Sequence, residues 1–180
     1  MNTLRVAVGG AWVAFWIYWF ASARGVKPGS HRSFWLRSRL LIWVPAIVAV
    51  RLVHPSGWTF HSPVAGGIGA ALFVCGLAIA IWARVHLGRN WGMPMTTKEE
   101  PELVTSGPYR FVRHPIYSGL LLAFLGTVLL TNLIGLVIVA AFAVTFYYSA
   151  LVEERNLTAA FPDTYPVYRE HTKMLVPFVL

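Results

Sequence analysis

Residues 115–152 read PIYSGLLLAFLGTVLLTNLIGLVIVAAFAVTFYYSALV, 38 residues without a formal charge. Arg113-His114 stands directly before this run and Glu153-Glu154 directly after it. As a single helix rising about 1.5 Å per residue it would reach roughly 57 Å, against a bilayer hydrocarbon core of about 30 Å. Thr131-Asn132, near the middle, supplies a polar break. The run therefore predicts two helices, roughly 115–130 and 133–152, folded as a tight hairpin. Antiparallel neighbours joined by a short turn have their far ends side by side. The cationic and anionic pairs should thus flank one cleft at the membrane boundary.

The rest of the chain agrees with a membrane setting. Of its 180 residues 57% are hydrophobic and 12% charged, against about 25% charged in a soluble domain. Mean hydropathy is +0.60. Further uncharged tracts lie at 6–23, 40–50 and 62–83. The first reads as a retained span, since no cleavage site follows it. The second is short, but the stems of Arg39 and Arg51 can snorkel, so roughly 39–53 can cross. The expectation is an all-α integral membrane protein of about five transmembrane helices, with a C-terminal helical hairpin.

Charge layout orients these spans. Segments 24–39, 84–114 and the tail after 152 fall on one side of a five-span protein. They hold 13 of the 15 Lys and Arg and all seven acids. The positive-inside bias places them, with the C-terminus, in the cytoplasm and the N-terminus outside. The net charge of +8 is read as this bias and not as a nucleic-acid footprint. The single Cys75 excludes an internal disulfide, a cysteine-ligated zinc site and a CxxC motif. His54 and His61 lack acidic or cysteine partners, a weak metal signal that favours an ordinary loop. Gly66-Gly67-Ile68-Gly69 opens an apolar helix with no strand before it, which favours close helix packing over a nucleotide loop. The tail from Phe161 to Tyr168 reads as a turn between amphipathic pieces at the membrane surface.

Chemistry is therefore expected at the cytoplasmic face. Pro115 suits the first helical turn, where its missing N–H has no helical partner. The N–H groups of Ile116, Tyr117 and Ser118 would then point to the loop as an anion site. Arg113 adds a planar fork for a carboxylate, His114 and Tyr117 add side-chain donors, and Gly119 clears space one turn in. Adjacent helical residues lie about 100° apart, so only one of Glu153 and Glu154 is expected in the pocket. A cleft carrying both signs of charge suits a zwitterionic ligand. His114 and Arg113 are the catalytic candidates, with His114 a base if the acceptor is an amine.

LVTSGPYRFVRHPIYSG, then EERNL, then FPDTYPVYREHTKMLVPF resemble the isoprenylcysteine carboxyl methyltransferase family and, more loosely, the phospholipid N-methyltransferases. The likeness covers roughly 76–178, so 61–180 is the expected methyltransferase core and 1–60 carries little family signal. The resemblance implies S-adenosylmethionine as donor, held by Pro101, Glu102, Leu103, Val104 and Tyr109, by His114, Pro115, Ile116 and Tyr117, and by Glu153, with Arg113 beside them. It implies a lipophilic acceptor such as an isoprenylcysteine carboxylate or another lipid-modified substrate. Where eukaryotic members carry a substrate-binding arginine, four residues before the first glutamate, this chain has Ser149. Arg169 or Arg84 would have to replace it, with Tyr168 nearby. An NADPH-dependent membrane reductase of related fold and a non-enzymatic zwitterion-binding protein are the competing readings.

Overall fold

A computed structural model describes residues 2–22, 29–30, 62–91, 97–98 and 102–176. Helix α1 spans Asn2–Ala21, α2 Pro63–Leu87, α3 Pro115–Leu130, α4 Gly135–Ala160 and α5 Tyr165–His171. Short 3-10 turns occupy Gly88–Asn90 and Gly107–Arg110. One two-residue antiparallel pair joins β1, Gly29–Ser30, to β2, Thr97–Lys98. The expected span near 39–53, together with His54, His61 and Pro101, lies outside the described residues.

Two helical segments, Pro63–Asn90 and Gly135–Ala160, are long and apolar enough to cross a bilayer. Only 22% and 28% of their most apolar windows are buried. Their outward faces present Val64, Ile68, Val74 and Val85 on one and Leu136, Val144, Tyr147 and Tyr148 on the other. An aqueous protein rarely leaves so large an apolar surface uncovered, and lipid is the solvent that suits it. Val6–Ala21 and Pro115–Leu130 are apolar but shorter.

The tightest contact runs between α2 and α3. Gly69 and Gly76 on α2, and Gly119 and Gly126 on α3, recur every seven residues and so line one face of each helix. A Cβ on Gly76 would stand 2.4 Å from the backbone nitrogen of Ala123, and one on Gly126 would stand 2.4 Å from that of Phe73. A Cβ on Gly119 would meet the nitrogen of Ala80 at 2.7 Å. The two backbones therefore touch. This corrects the expectation that Gly119 clears space for a ligand: the space is filled by α2. Of the Gly66–Gly69 cluster, only Gly69 lies in the seam; Gly66 and Gly67 have nothing within 4 Å of a built Cβ.

Helix α4 meets α3 through side chains. Gly135 lies against Val128, Phe142 stacks on Phe124 at 4.3 Å, and Phe146 stacks on Tyr117 at 4.6 Å. The contacts advance along one helix as they retreat along the other. Between the two helices, the Asn132 side-chain oxygen accepts a hydrogen bond from Ile134 N at 2.8 Å, a short polar turn. Helix α1 leans on the same core through Trp12, which stacks on Phe124 at 4.9 Å and donates its indole N–H to Thr127 Oγ1 at 3.1 Å.

The chain then doubles back. After α5, residues 172–175 run beside the start of α3: Arg113 N donates to Lys173 O at 2.8 Å and His114 N to Met174 O at 3.0 Å. Ser118 Oγ donates to Leu175 O at 2.5 Å. This strap lays the C-terminal segment across the helix entrance.

Candidate functional site

The site is built where α3 begins and α4 ends. His114 is the last residue before α3, with φ −124° and ψ 59°, and Pro115 opens the helix. The first helical bond visible there runs from Ser118 N to His114 O at 3.1 Å. Helix α4 continues past its apolar stretch to Ala160, where Phe161 N closes it on Leu157 O. That extra length carries Glu153 and Glu154 to the level of His114.

Both carboxylates reach the cluster, which corrects the expectation that only one of the pair would. Glu153 Oε1 accepts a hydrogen bond from Tyr117 OH at 2.5 Å. Its Oε2 stands 3.5 Å from His114 Nδ1. Glu154 Oε1 accepts from Arg113 Nε at 2.7 Å and lies 3.5 Å from His114 Nε2. An imidazole has nitrogens on two edges, so residues about 100° apart on one helix can take one edge each. His114 is buried. Burial opposes its protonation, but the flanking Glu153 and Glu154 outweigh that cost and hold the imidazole above its ordinary range. Each imidazole nitrogen faces a carboxylate at 3.5 Å, so charge attraction favours the imidazolium, although the buried Nε2 makes no hydrogen bond.

The two glutamates differ in exposure. Glu154 is buried and shared by Arg113, His114 and, at 3.6 Å, Arg169. Glu153 keeps 24% of its side chain exposed. Arg113 also donates to the carbonyls of Thr172 and Arg169. Expected as a fork open to a ligand carboxylate, it is instead a clamp holding α4 and the strap to the start of α3. The reason is geometric: Glu154 and the returning strap arrive at its donors first.

The other expected substrate contacts divide. Ser149 is fully buried and donates to Thr145 O at 2.8 Å, so its hydroxyl is engaged within α4. Arg84 is buried, donates to Ser22 O and Gly88 O, and lies over the Trp91 ring at 4.6 Å. It ties α1 to the end of α2. Arg169 is 60% exposed beside Glu154. Tyr168 donates to Tyr109 O at 2.6 Å, and burial pushes its hydroxyl up to about 12.

A separate open surface lies one loop earlier in the chain. Glu102, Leu103 and Val104 line an open groove of about 540 Å³ together with His86, Asn90 and Ser106. Asn90 Nδ2 donates to Glu102 Oε2 at 2.9 Å, while its buried Oδ1 has no hydrogen-bond partner. Tyr109 follows this loop, buried, with its hydroxyl donating to Ala83 O at 3.4 Å. Burial first, then the charge of Glu153, pushes that hydroxyl upward. Among the described residues no group of three or more His, Cys, Asp or Glu could hold a metal.

Residues 64–164 match the phospholipid methyltransferase family. The chain belongs to that family. Among its relatives is the cobalt-zinc-cadmium resistance protein CzcN of Cupriavidus metallidurans, 31% identical over 81% of this chain and 66% of that protein. Methanethiol S-methyltransferase of a Pseudomonas species is 28% identical over 76% of this chain and 53% of its own length. Protein-S-isoprenylcysteine O-methyltransferase B of Arabidopsis thaliana is 31% identical over 59% and 58% respectively. The chain thus spans between about half and two thirds of these relatives, and the isoprenylcysteine resemblance read from the motifs is met by one of them. The family match favours a methyltransferase over the reductase reading.

Sequence reasoning missed three features of this site. The strap at 172–175 acts through backbone groups and leaves no side-chain signature. The roles of His86 and Asn90 depend on the turn after α2. Phe146 was legible in principle, since it sits seven residues before Glu153 and so shares its helix face.

Proposed function

We propose that this protein is a multi-pass membrane methyltransferase that takes its methyl group from S-adenosylmethionine and passes it to a lipophilic acceptor. The observation that carries the reading is the meeting of His114 with Glu153 and Glu154 beside the first turn of α3.

The residues present fit such a donor. A groove of about 540 Å³ lies within the range of about 300–1,000 Å³ usual for small-ligand sites. Glu153, part-exposed, suits an ammonium or sugar hydroxyls. The positive end of the α3 dipole suits a carboxylate. S-adenosylmethionine would supply an electrophilic methyl: the acceptor's lone pair forms the new bond to carbon as the carbon–sulfur pair returns to sulfur, leaving S-adenosylhomocysteine. The protein's part is to hold the partners in line and to keep water from the charges, since Arg113, His114 and Glu154 are almost sealed from solvent.

The acceptor is proposed to be lipophilic because α2 and α4, which lead to the groove and to the carboxylates, expose long apolar faces. The relatives that act on an isoprenylcysteine or on methanethiol support a carboxylate or a thiol as nucleophile. We further propose that the site and the C-terminus face the cytoplasm, with five spans in all; a tag at Leu180 should be reachable only after permeabilisation, and labelling of intact cells would reverse the orientation.

The experiment is ligand binding to the purified protein in micelles. S-adenosylhomocysteine should raise the unfolding temperature and NADPH should not. Glu153→Gln should remove the S-adenosylhomocysteine shift while the unliganded protein stays folded. A shift that survives this substitution, or one given by NADPH alone, would refute the assignment.

A further inference from the structure

Six rings form a continuous series from the interior to the charged corner: Trp12, Phe124, Phe142, Phe146, Tyr117 and His114, with successive centroids 4.9, 4.3, 5.4, 4.6 and 5.5 Å apart. The last two steps are nearly coplanar in orientation. Phe146 and Tyr117 are inclined by 9°, and Tyr117 and His114 by 10°. The sequence reading casts Tyr117 as a side-chain donor to the ligand. Its ring is instead held by protein rings along the series, and its hydroxyl is bound to Glu153.

The hydroxyl bond fixes only the tip of Tyr117. A ring held at its tip still rolls about its long axis, and that roll is what a flat neighbour restricts. Phe146 is that neighbour. It is buried and leaves α4 two turns before Glu153, so one helix face supplies both the surface for the ring and the carboxylate for its hydroxyl. The plane of Tyr117 then sets the plane of His114, whose two nitrogens must each face a carboxylate.

We propose that Phe146 is a positioning residue for the donor site, acting through the Tyr117 ring to align His114 between Glu153 and Glu154. This rests on the methyltransferase reading. Phe146 touches no reacting atom; it sets the orientation of groups that receive the donor.

The test compares Phe146→Leu with Phe142→Leu, a partly buried neighbour one turn earlier whose ring stacks on Phe124 at 4.3 Å and reaches Tyr117 only by way of Phe146, at 5.4 Å. S-adenosylhomocysteine affinity is measured across pH on purified protein in micelles, beside the unfolding temperature. Both variants should lose similar thermal stability. Only F146L should bind more weakly, by about three- to tenfold, as expected for one aromatic pair, and the pH at which its binding falls by half should move down as His114 loses its alignment. F146Y keeps the ring and should restore most of the affinity; F146M replaces F146L if the latter does not fold. Wild-type affinity and an unmoved pH midpoint in folded F146L or F146M would overturn the inference and leave the methyltransferase reading standing, as would a loss in F146Y equal to theirs. No binding by the wild type would defeat the reading itself.

Discussion

Helix α3 makes two kinds of contact, and they differ in what they tolerate. Toward α2 it presents glycines, and at Gly76, Gly119 and Gly126 backbone meets backbone. Toward α4 it presents rings and, at its entrance, charges. The first contact has no adjustable parts, so it fixes distance. The second is assembled from side chains that can each be altered, so it sets chemistry. A membrane protein without a hydrophobic drive between its helices gains a rigid wall from one face and places its polar groups on the other.

The sharpest way to break this contrast is to add one carbon to the seam. Gly76→Ala should cost more than about 3 kcal/mol, past the usual overpacking range of about 1–3, because the obstructing atoms belong to the backbone of Ala123 and Gly119. Gly66→Ala, where nothing lies within 4 Å, should instead be neutral or stabilising by up to about 1 kcal/mol through helix propensity. Denaturation midpoints in micelles compare the two; equal effects would dissolve the seam.

Next in size is the division of labour between the glutamates. Glu154→Gln removes the charge partner of a nearly buried Arg113 and should destabilise by about 3 kcal/mol. Glu153→Gln, at a part-exposed position, should cost much less stability while losing donor binding. Chemical denaturation and S-adenosylhomocysteine titration of both variants decide it. A larger stability loss in Glu153→Gln would invert the roles.

The smallest effect expected is on pH dependence. The His114 imidazole is held above its ordinary range by Glu153 and Glu154. Its contribution to stability should be complete below about 6.5, the unfolded value, and be lost as pH rises through the higher folded value. The unfolding temperature of the wild type should therefore fall as pH increases from 6.5 toward 9, and that fall should be shallower in His114→Gln. Parallel profiles would show that His114 is not the titrating group.

The charge pattern made part of this legible in advance. An uncharged run with one polar break brings its ends together whatever the details, and Arg113-His114 and Glu153-Glu154 do meet. What periodicity does not carry is which partner a donor finds first. Arg113 was read as open because the strap that occupies it returns from residues 169–172 through carbonyls that every residue type has. Gly119 was read as ligand space because a glycine's vacancy is the same whether a ligand or a neighbouring backbone fills it. Ser149 sits on α4 four residues before Glu153 and shares its helix side, yet burial against the interior separates the two.

The strap is fastened by main-chain oxygens at positions 172, 173, 174 and 175. Replacing the side chains of Lys173 or Met174 leaves every one of those fasteners in place. Lengthening the stretch between Phe161 and Thr172 by a single residue would slide them all out of register at once. The spacing of this segment, more than its spelling, is what a designer of variants must preserve.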